Sequence, residues 1–397
     1  MSSLPYGRPC LDDDDIDAVI AVLRSQWLTT GPMVERFEGA LANRVGAGHA
    51  VVCSSGTAAL HLAALALGLG PGDSLIVPSI TFVATANAPH MTGAEIVFAD
   101  VDRESGLLTP DTFEAALDAA SGHRVRAVFP VHLNGQAAAM AEIAALAKAH
   151  DIAVVEDACH ALGAQYADDG GAVGCGAHAR LAVFSFHPVK TVAMGEGGAV
   201  TTHEAALAAR MRRARHHGLV RDSTDFEDRA AGFDPDGSPR PWFSEMPSPG
   251  FNYRASDIHC ALGLSQLSKL DRFIEARAGL VAAYGEALAP LAPRLRLVVR
   301  MPGGQPAWHL LAVHIDFETF GVSRAAVMRR LSGQGIGTQV HYQPVHRFAY
   351  YEKRYGAKSL PGAEHYASRA LSLPLFVGMT TSDVDRVAAA LMEVLDP

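Results

Sequence analysis

Short apolar runs alternate with helical patterns over roughly the first 160 residues, and this alternation constrains the fold most strongly. The strand-like runs are AVVCSS, SLIVPS, EIVFADV, RVRAVFPVH and IAVVEDA, and helical patterns such as TAALHLAALALGL lie between them. Repeats of strand, helix and strand predict an α/β fold with a mostly parallel central sheet flanked by helices. Polar residues that follow each run then lie at the carboxyl ends of the strands, where open α/β sheets bind ligands.

The length of the chain predicts two domains. A chain of 397 residues exceeds what one hydrophobic core usually serves. We expect a large domain over residues 1–260, including the amino-terminal segment, and a smaller C-terminal α/β domain over residues 261–397. The pattern that follows residue 256 has helical periodicity and is long enough to join the two.

Composition excludes several classes of protein. The net charge of -9 argues against a nucleic-acid or anionic-membrane binder, because both need a broad positive surface. The five cysteines show no C-x-x-C pairing, which argues against a zinc site or a disulfide framework. The most apolar stretch, residues 58–70, is shorter than the ~20 residues that span a bilayer. With no secretory pattern at the amino terminus, we expect a cytoplasmic protein without a structural metal.

The segment FSFHPVKTVAMGEGGAVTT, residues 184–202, contains a candidate nucleophile. An apolar strand ends there in Ser185, a histidine and Lys190 before a glycine-rich return. A lysine amine becomes nucleophilic when it is desolvated, and a Schiff base with pyridoxal phosphate is a common outcome. Taken alone, the same pattern also fits a surface lysine.

Asp157 is the candidate partner of that lysine. It ends the apolar run in VVEDACHALGA, so it lies at the carboxyl end of a predicted strand. A carboxylate beside the pyridine nitrogen keeps the nitrogen protonated and makes the ring an electron sink. The alternative role for Asp157 is a helix N-cap before ACHALGA.

The turn in CSSGTAALHLAALAL is a candidate phosphate site. A strand ends at small residues and a helix begins near Thr57. Helix-start N–H groups bind phosphate, Gly56 permits close approach, and the Thr57 hydroxyl adds a donor. The segment is not a P-loop, because G-K-[ST] is absent.

Together these segments resemble the DegT-type sugar aminotransferases, which are fold type I enzymes that use pyridoxal 5'-phosphate. The resemblance runs through nearly the whole chain, in YGRPCLDDDD, QWLTTGPMVERFE, SSGTAALHLA, PSITFVATANA, EDACHALGA, FSFHPVKTVAMGEGG, GFNYRASDIHCALGLSQL, GTQVHYQPVH and LSLPLF. It implies that Lys190 forms the Schiff base and that Asp157 contacts the pyridine nitrogen. It also implies that His160 lies near the phenolic oxygen and that Phe82 stacks on the ring.

The same resemblance assigns the phosphate contacts and implies a homodimer. Gly56, Thr57 and Ser185 are expected to contact the cofactor phosphate. Asn252 of GFNYR is expected to reach the active site of the neighbouring subunit, so that each site is shared across the dimer interface.

Within the family the sequence is most similar to the transaminases of pseudaminic acid biosynthesis. Those enzymes use L-glutamate to convert a UDP-linked 4-keto sugar into UDP-4-amino-4,6-dideoxy-N-acetyl-β-L-altrosamine. The similarity implies a sugar-nucleotide pocket lined by Tyr6, Gln26, Trp27, Leu28, Thr29, Asn252, His341 and Tyr342.

Three alternatives remain open from the sequence. The amino acceptor could be another UDP-, dTDP- or GDP-linked keto sugar. A dehydratase of the same fold would have histidine in place of Lys190, which counts against that activity. A non-catalytic regulator could retain the fold, because function does not follow from architecture.

Overall fold

The seven-stranded sheet at the centre of the molecule confirms the predicted α/β class. The structure is a computed structural model, and it describes residues 3–167 and 170–395. The strands are β1 (His49–Cys53), β2 (Ser74–Pro78), β3 (Glu95–Ala99), β4 (Val125–Val128), β5 (Ala153–Asp157), β6 (Leu181–Ser185) and β7 (Gly198–Thr202). Their order is β1-β7-β6-β5-β4-β2-β3. Only β7 runs antiparallel to its two neighbours, so the described sheet is mostly parallel.

Helices cover both faces of this sheet. The helices that precede the C-terminal region are α1 (Asp13–Leu23), α2 (Pro32–Val45), α3 (Gly56–Ala66), α4 (Ala84–His90), α5 (Pro110–Ala119), α6 (Met140–Ala149), α7 (Ala205–Ala214), α8 (Arg229–Gly232) and α9 (Asp257–Ser268). Alternate residues of β1 face opposite cores: Val52 packs with α2, α5 and α6, whereas Val51 packs with α3, α4 and α7. This two-residue alternation is the normal result of strand geometry.

A second, smaller sheet organises the C-terminal region. Its strands are β8 (Leu295–Leu297), β9 (Leu311–Ile315) and β10 (Ala370–Leu373), which pair in the antiparallel order β10-β9-β8. The helices of this region are α10 (Leu270–Leu288), α11 (Arg324–Gly333), α12 (Ala349–Tyr355), α13 (Pro361–Arg369) and α14 (Thr381–Leu395). Among the described helices none is both long and apolar enough to span a membrane.

The change from one core to the next occurs within α10. Leu270, at its start, packs in a core of the central sheet, whereas Leu280 and Tyr284 pack with the small sheet. Leu4 also packs with the small sheet, and its backbone pairs with Ile336. We therefore propose that α10 and the amino-terminal segment connect the two regions. The division between residues 260 and 261 stays a prediction.

Candidate active site

A cavity of about 630 Å³ lies beside the carboxyl ends of β5 and β6 and the start of α3. Ten of the sequence-predicted residues line it: Tyr6, Gly56, Thr57, Phe82, Asp157, His160, Ser185, Lys190, His341 and Tyr342. Segments that are distant in sequence thus converge on one site. For the residues that follow β1, β2, β5 and β6, the convergence follows from strand order, because strands that run in the same direction end at the same edge of the sheet. Tyr6, His341 and Tyr342 come from outside this sheet.

One end of the cavity is formed by the turn between β1 and α3. The Ser55 hydroxyl caps α3 by accepting a hydrogen bond from the backbone N–H of Ala58 at 3.1 Å. The first N–H groups of a helix have no intrahelical acceptor, so those of Gly56 and Thr57 are available to a ligand. A Cβ atom on Gly56 would lie 2.9 Å from Ser185 Cβ and 3.1 Å from its hydroxyl oxygen. Only glycine therefore fits where α3 approaches the end of β6.

Lys190 lies on the connection that returns from β6 to β7. The connection is closed by backbone hydrogen bonds from Lys190 to His187 at 2.8 Å and from Phe186 to Gly197 at 2.8 Å. Burial lowers the pKa of the Lys190 amine, and the nearby Cys159 and Asp157 only partly oppose this effect. The amine therefore reaches its neutral, nucleophilic form at a lower pH than an exposed lysine does.

Asp157 is held by hydrogen bonds at both carboxylate oxygens. Its Oδ2 accepts the Thr85 hydroxyl at 2.6 Å, and its Oδ1 accepts the backbone N–H of Cys159 at 3.1 Å. The side chain lines the cavity although the residue is only 5% exposed. Asp157 thus presents a fixed negative group close to Lys190.

Four histidines line the same cavity, and burial lowers the pKa of three of them, His160, His309 and His341, so that these three are neutral near pH 7. Burial and the Lys190 charge lower the pKa of His160 well below its usual value, and the pKa of His341 falls to about 3 for the same reasons. His160 Nε2 is hydrogen-bonded to the Tyr342 hydroxyl at 3.0 Å. Its Nδ1 is buried, and no described group partners it. A polar ligand atom would satisfy that nitrogen.

Aromatic side chains complete the wall of the cavity. Phe82 is 55% exposed, although it lines the site, and its ring centroid lies 6.1 Å from that of Tyr342. The Tyr6 ring lies 5.7 Å from that of His341. An exposed aromatic face of this kind suits stacking against a flat ligand.

The remaining predicted residues do not line this cavity. Gln26, Trp27, Leu28 and Thr29 precede α2, and Trp27 instead borders a separate cavity of about 440 Å³. Trp27 and Leu28 are 53% and 47% exposed. Asn252 is also exposed and pairs with His216.

These residues form a second surface of the chain. Thr29 pairs with Ser256, and the Leu28 carbonyl accepts the backbone N–H of Asp257 at 3.0 Å. The segments 26–29 and 252–256 are therefore adjacent. Within one chain the structure does not bring them to Lys190, so their contact with substrate stays a prediction.

Sequence reasoning missed His309, which also lines the cavity. Its ring centroid lies 4.5 Å from that of His160, and no described group partners its Nδ1. His309 precedes β9, so it enters the site from the amino end of a small-sheet strand. The strand-end rule for parallel sheets does not cover that position; its only sequence signal is a histidine beside an apolar run.

The chain matches the model of the DegT/DnrJ/EryC1/StrS aminotransferase family over residues 9–392. Solved structures of aminotransferases are similar to this chain over its full length. Helicobacter pylori PseC, an aminotransferase involved in the biosynthesis of pseudoaminic acid, is 28% identical, with a TM-score of 0.87 and 100% of each chain covered. DesI, solved in the presence of its TDP-sugar product, is 34% identical, with a TM-score of 0.85, and the match covers 100% of this chain and 94% of DesI.

A cofactor-bound structure is also similar. Spr1654 from Streptococcus pneumoniae, described as a sugar aminotransferase, was solved in a PLP form. It is 25% identical, with a TM-score of 0.85 and 99% of each chain covered.

Proposed function

Because the chain belongs to the DegT/DnrJ/EryC1/StrS aminotransferase family, we propose that it transfers the amino group of L-glutamate to a nucleotide-linked 4-keto-6-deoxy sugar. The observation that carries this proposal is the convergence of Lys190, Asp157 and the start of α3 on one cavity. A lysine, a carboxylate and a phosphate cup are the three groups that this chemistry needs.

The residues of the cavity fit pyridoxal 5'-phosphate. Gly56 leaves the space that a Cβ would fill, and the Thr57 and Ser185 hydroxyls can donate to a phosphate beside it. The unpartnered Nδ1 of His160 suits a phenolic oxygen, and Phe82 offers a face for stacking. When bound, this cofactor supplies an aldehyde for a Schiff base on Lys190 and a ring that withdraws electrons.

In this proposal Lys190 transfers protons, and Asp157 keeps a proton on the pyridine nitrogen. Lys190 Nζ takes the proton from the α-carbon of glutamate and later delivers a proton to the sugar carbon that receives nitrogen. Burial lowers the pKa of this amine, so a neutral base is available at a lower pH than ordinary lysine allows. The Asp157 carboxylate holds the proton of the pyridine nitrogen.

The sugar is the finer part of the proposal. We assign the product as UDP-4-amino-4,6-dideoxy-N-acetyl-β-L-altrosamine of the pseudaminic acid pathway, with support from the similarity to PseC over the full chain. The similarity to DesI, whose product is a TDP sugar, supports a dTDP-linked keto sugar as the alternative. Tyr6, His341 and Tyr342 are the cavity residues that we propose to face the sugar nucleotide.

We further propose a cytoplasmic homodimer with shared active sites. The surface formed by residues 26–29 and 252–256 is partly apolar and exposed, as an interface between subunits would be in a separated chain. Asn252 and Trp27 would then contribute to the site of the partner subunit. Sedimentation of the active enzyme tests this; a fully active monomer would contradict it.

Gly56→Ala is expected to weaken the binding of pyridoxal phosphate by about tenfold or more. The new Cβ would collide with Ser185, and such overpacking costs about 1–3 kcal/mol. Titration of the apoprotein with the cofactor, followed by absorbance, measures the dissociation constant. Gly39→Ala in α2 is the matched control, because a Cβ there meets no atom within 4 Å. An unchanged dissociation constant in Gly56→Ala would contradict the phosphate cup.

Incubation with L-glutamate and a panel of nucleotide keto sugars tests the proposed reaction. Mass spectrometry of the products should show amination, with kcat/KM highest for the UDP-linked 4-keto precursor of the altrosamine product. Faster amination of a dTDP-linked sugar would show that the assigned sugar is wrong, while the assignment as a sugar aminotransferase would stand. Cofactor absorbance that does not change on adding glutamate, with no product from any sugar, would favour the non-catalytic regulator.

A further inference from the structure

Two threonines connect α4 to the carboxylate of the proposed active site. The Thr85 hydroxyl lies 2.6 Å from Asp157 Oδ2, and the Thr81 hydroxyl lies 2.7 Å from that of Thr85. Thr85 is fully buried and Thr81 is 2% exposed. Bulk water is therefore excluded from both hydrogen bonds.

The direction of the chain is fixed by the number of protons. A threonine hydroxyl carries one proton, and an ionised carboxylate only accepts. Thr85 must donate its proton to Asp157, so its oxygen accepts the proton of Thr81. The order of donation is Thr81 to Thr85 to Asp157, and hydrogen bonds that run in one direction strengthen each other.

This arrangement leaves Asp157, which lines the cavity, with further acceptor capacity. A carboxylate offers about four lone-pair sites. Thr85 uses one site on Oδ2, and the Cys159 N–H uses one on Oδ1. Both oxygens are thus anchored, and these two hydrogen bonds leave the carboxylate with capacity to accept a ring proton.

Phe82 lies in the turn that leads into α4. The Thr85 N–H donates to the Phe82 carbonyl at 3.1 Å, so the two residues belong to one rigid turn. Thr85 thereby fixes the carboxylate relative to the aromatic face of the same site.

We propose that Thr85, supported by Thr81, is a positioning residue that sets the orientation of Asp157 toward the pyridine nitrogen. This inference rests on the proposed function, because it assigns Asp157 to that nitrogen. Thr81 and Thr85 also line the cavity, so the test of this role is coupling: the effect of the Thr85 hydroxyl on the cofactor should depend on the presence of the Asp157 carboxylate.

Thr85→Val removes the hydroxyl and nearly keeps the shape of the side chain. Because a hydrogen bond to a charged group is lost, we expect the dissociation constant of pyridoxal phosphate to rise and kcat to fall, each by about tenfold or more, with little change in KM. Thr85→Ser restores the hydroxyl and should stay within about threefold of the wild type. Thr81→Val should give a smaller change in the same direction.

A double-mutant cycle separates positioning from general damage to the fold. In an Asp157→Ala background, Thr85→Val should change cofactor affinity by less than about twofold, because the carboxylate that the Thr85 hydroxyl orients is absent. Thr201→Val on β7 is the control; it removes another buried hydroxyl, which donates to the Gly174 carbonyl, and should leave cofactor affinity unchanged.

The outcomes distinguish this inference from the proposed function. If the wild type binds the cofactor and Thr85→Val matches it, or if Thr85→Val has the same effect in both backgrounds, the positioning role is wrong and the proposed function stands. A wild type that binds no pyridoxal phosphate overturns both.

Discussion

Lys190→Ala is expected to abolish transamination and the visible absorbance of protein-linked cofactor. The substitution removes both the amine that forms the Schiff base and the group that moves the proton. One positioned proton-transfer group contributes up to about 10⁴-fold, and loss of the covalent link adds to this. We therefore expect kcat to fall by at least about 10⁴-fold in the glutamate and keto-sugar assay.

Lys148→Ala is the matched control for that variant. Lys148 is exposed on α6, so its loss should leave turnover and absorbance unchanged. Residual activity of Lys190→Ala within about a hundredfold of the wild type would mean that another group carries the chemistry.

Asp157→Asn is expected to lower kcat by about a hundred- to a thousandfold. The substitution keeps the size of the side chain but removes the negative charge that holds the ring proton. Loss of one preorganised electrostatic partner costs about this much in other active sites. Steady-state kinetics should show the loss in kcat more than in KM, because the charge acts mainly in the reacting state.

The exposed Asp118 on α5 provides a control of the same type. Asp118→Asn should behave as the wild type. If Asp157→Asn retained more than about a third of the wild-type kcat, the carboxylate would not be the partner of the ring nitrogen.

The parallel part of the fold was predictable because its signal is local. Each strand is a short apolar run bounded by turn residues, and its carboxyl end is marked by a polar residue such as Asp157 or Ser185. Parallel pairing then brings those ends together. The central sheet is confirmed, and the cavity contains the predicted Lys190 and Gly56 as well.

Other features of the site depend on tertiary contacts that no local pattern reports. In the sequence, Thr85 looks like an ordinary helix residue. Its role becomes visible only in the structure, where Asp157 at the end of β5 accepts its hydroxyl proton. His309 lies just before β9 of the small sheet, and nothing in its sequence neighbourhood indicates His160 as its neighbour.

The second surface shows a different limit of sequence reasoning. The resemblance places Asn252 and Trp27 in the active site, whereas a single chain places them away from the cavity. Their proposed role depends on how two chains pair, which hydrophobic periodicity within one chain does not encode.

Borohydride reduction of the cofactor-loaded enzyme, followed by digestion and peptide mass spectrometry, tests the covalent link most directly. Reduction converts a Schiff base to a stable amine and leaves the cofactor on the residue that held it. We predict that the modification lies on Lys190, in the peptide between β6 and β7. Labelling of a different lysine, or of no peptide at all in active enzyme, would contradict the proposed chemistry.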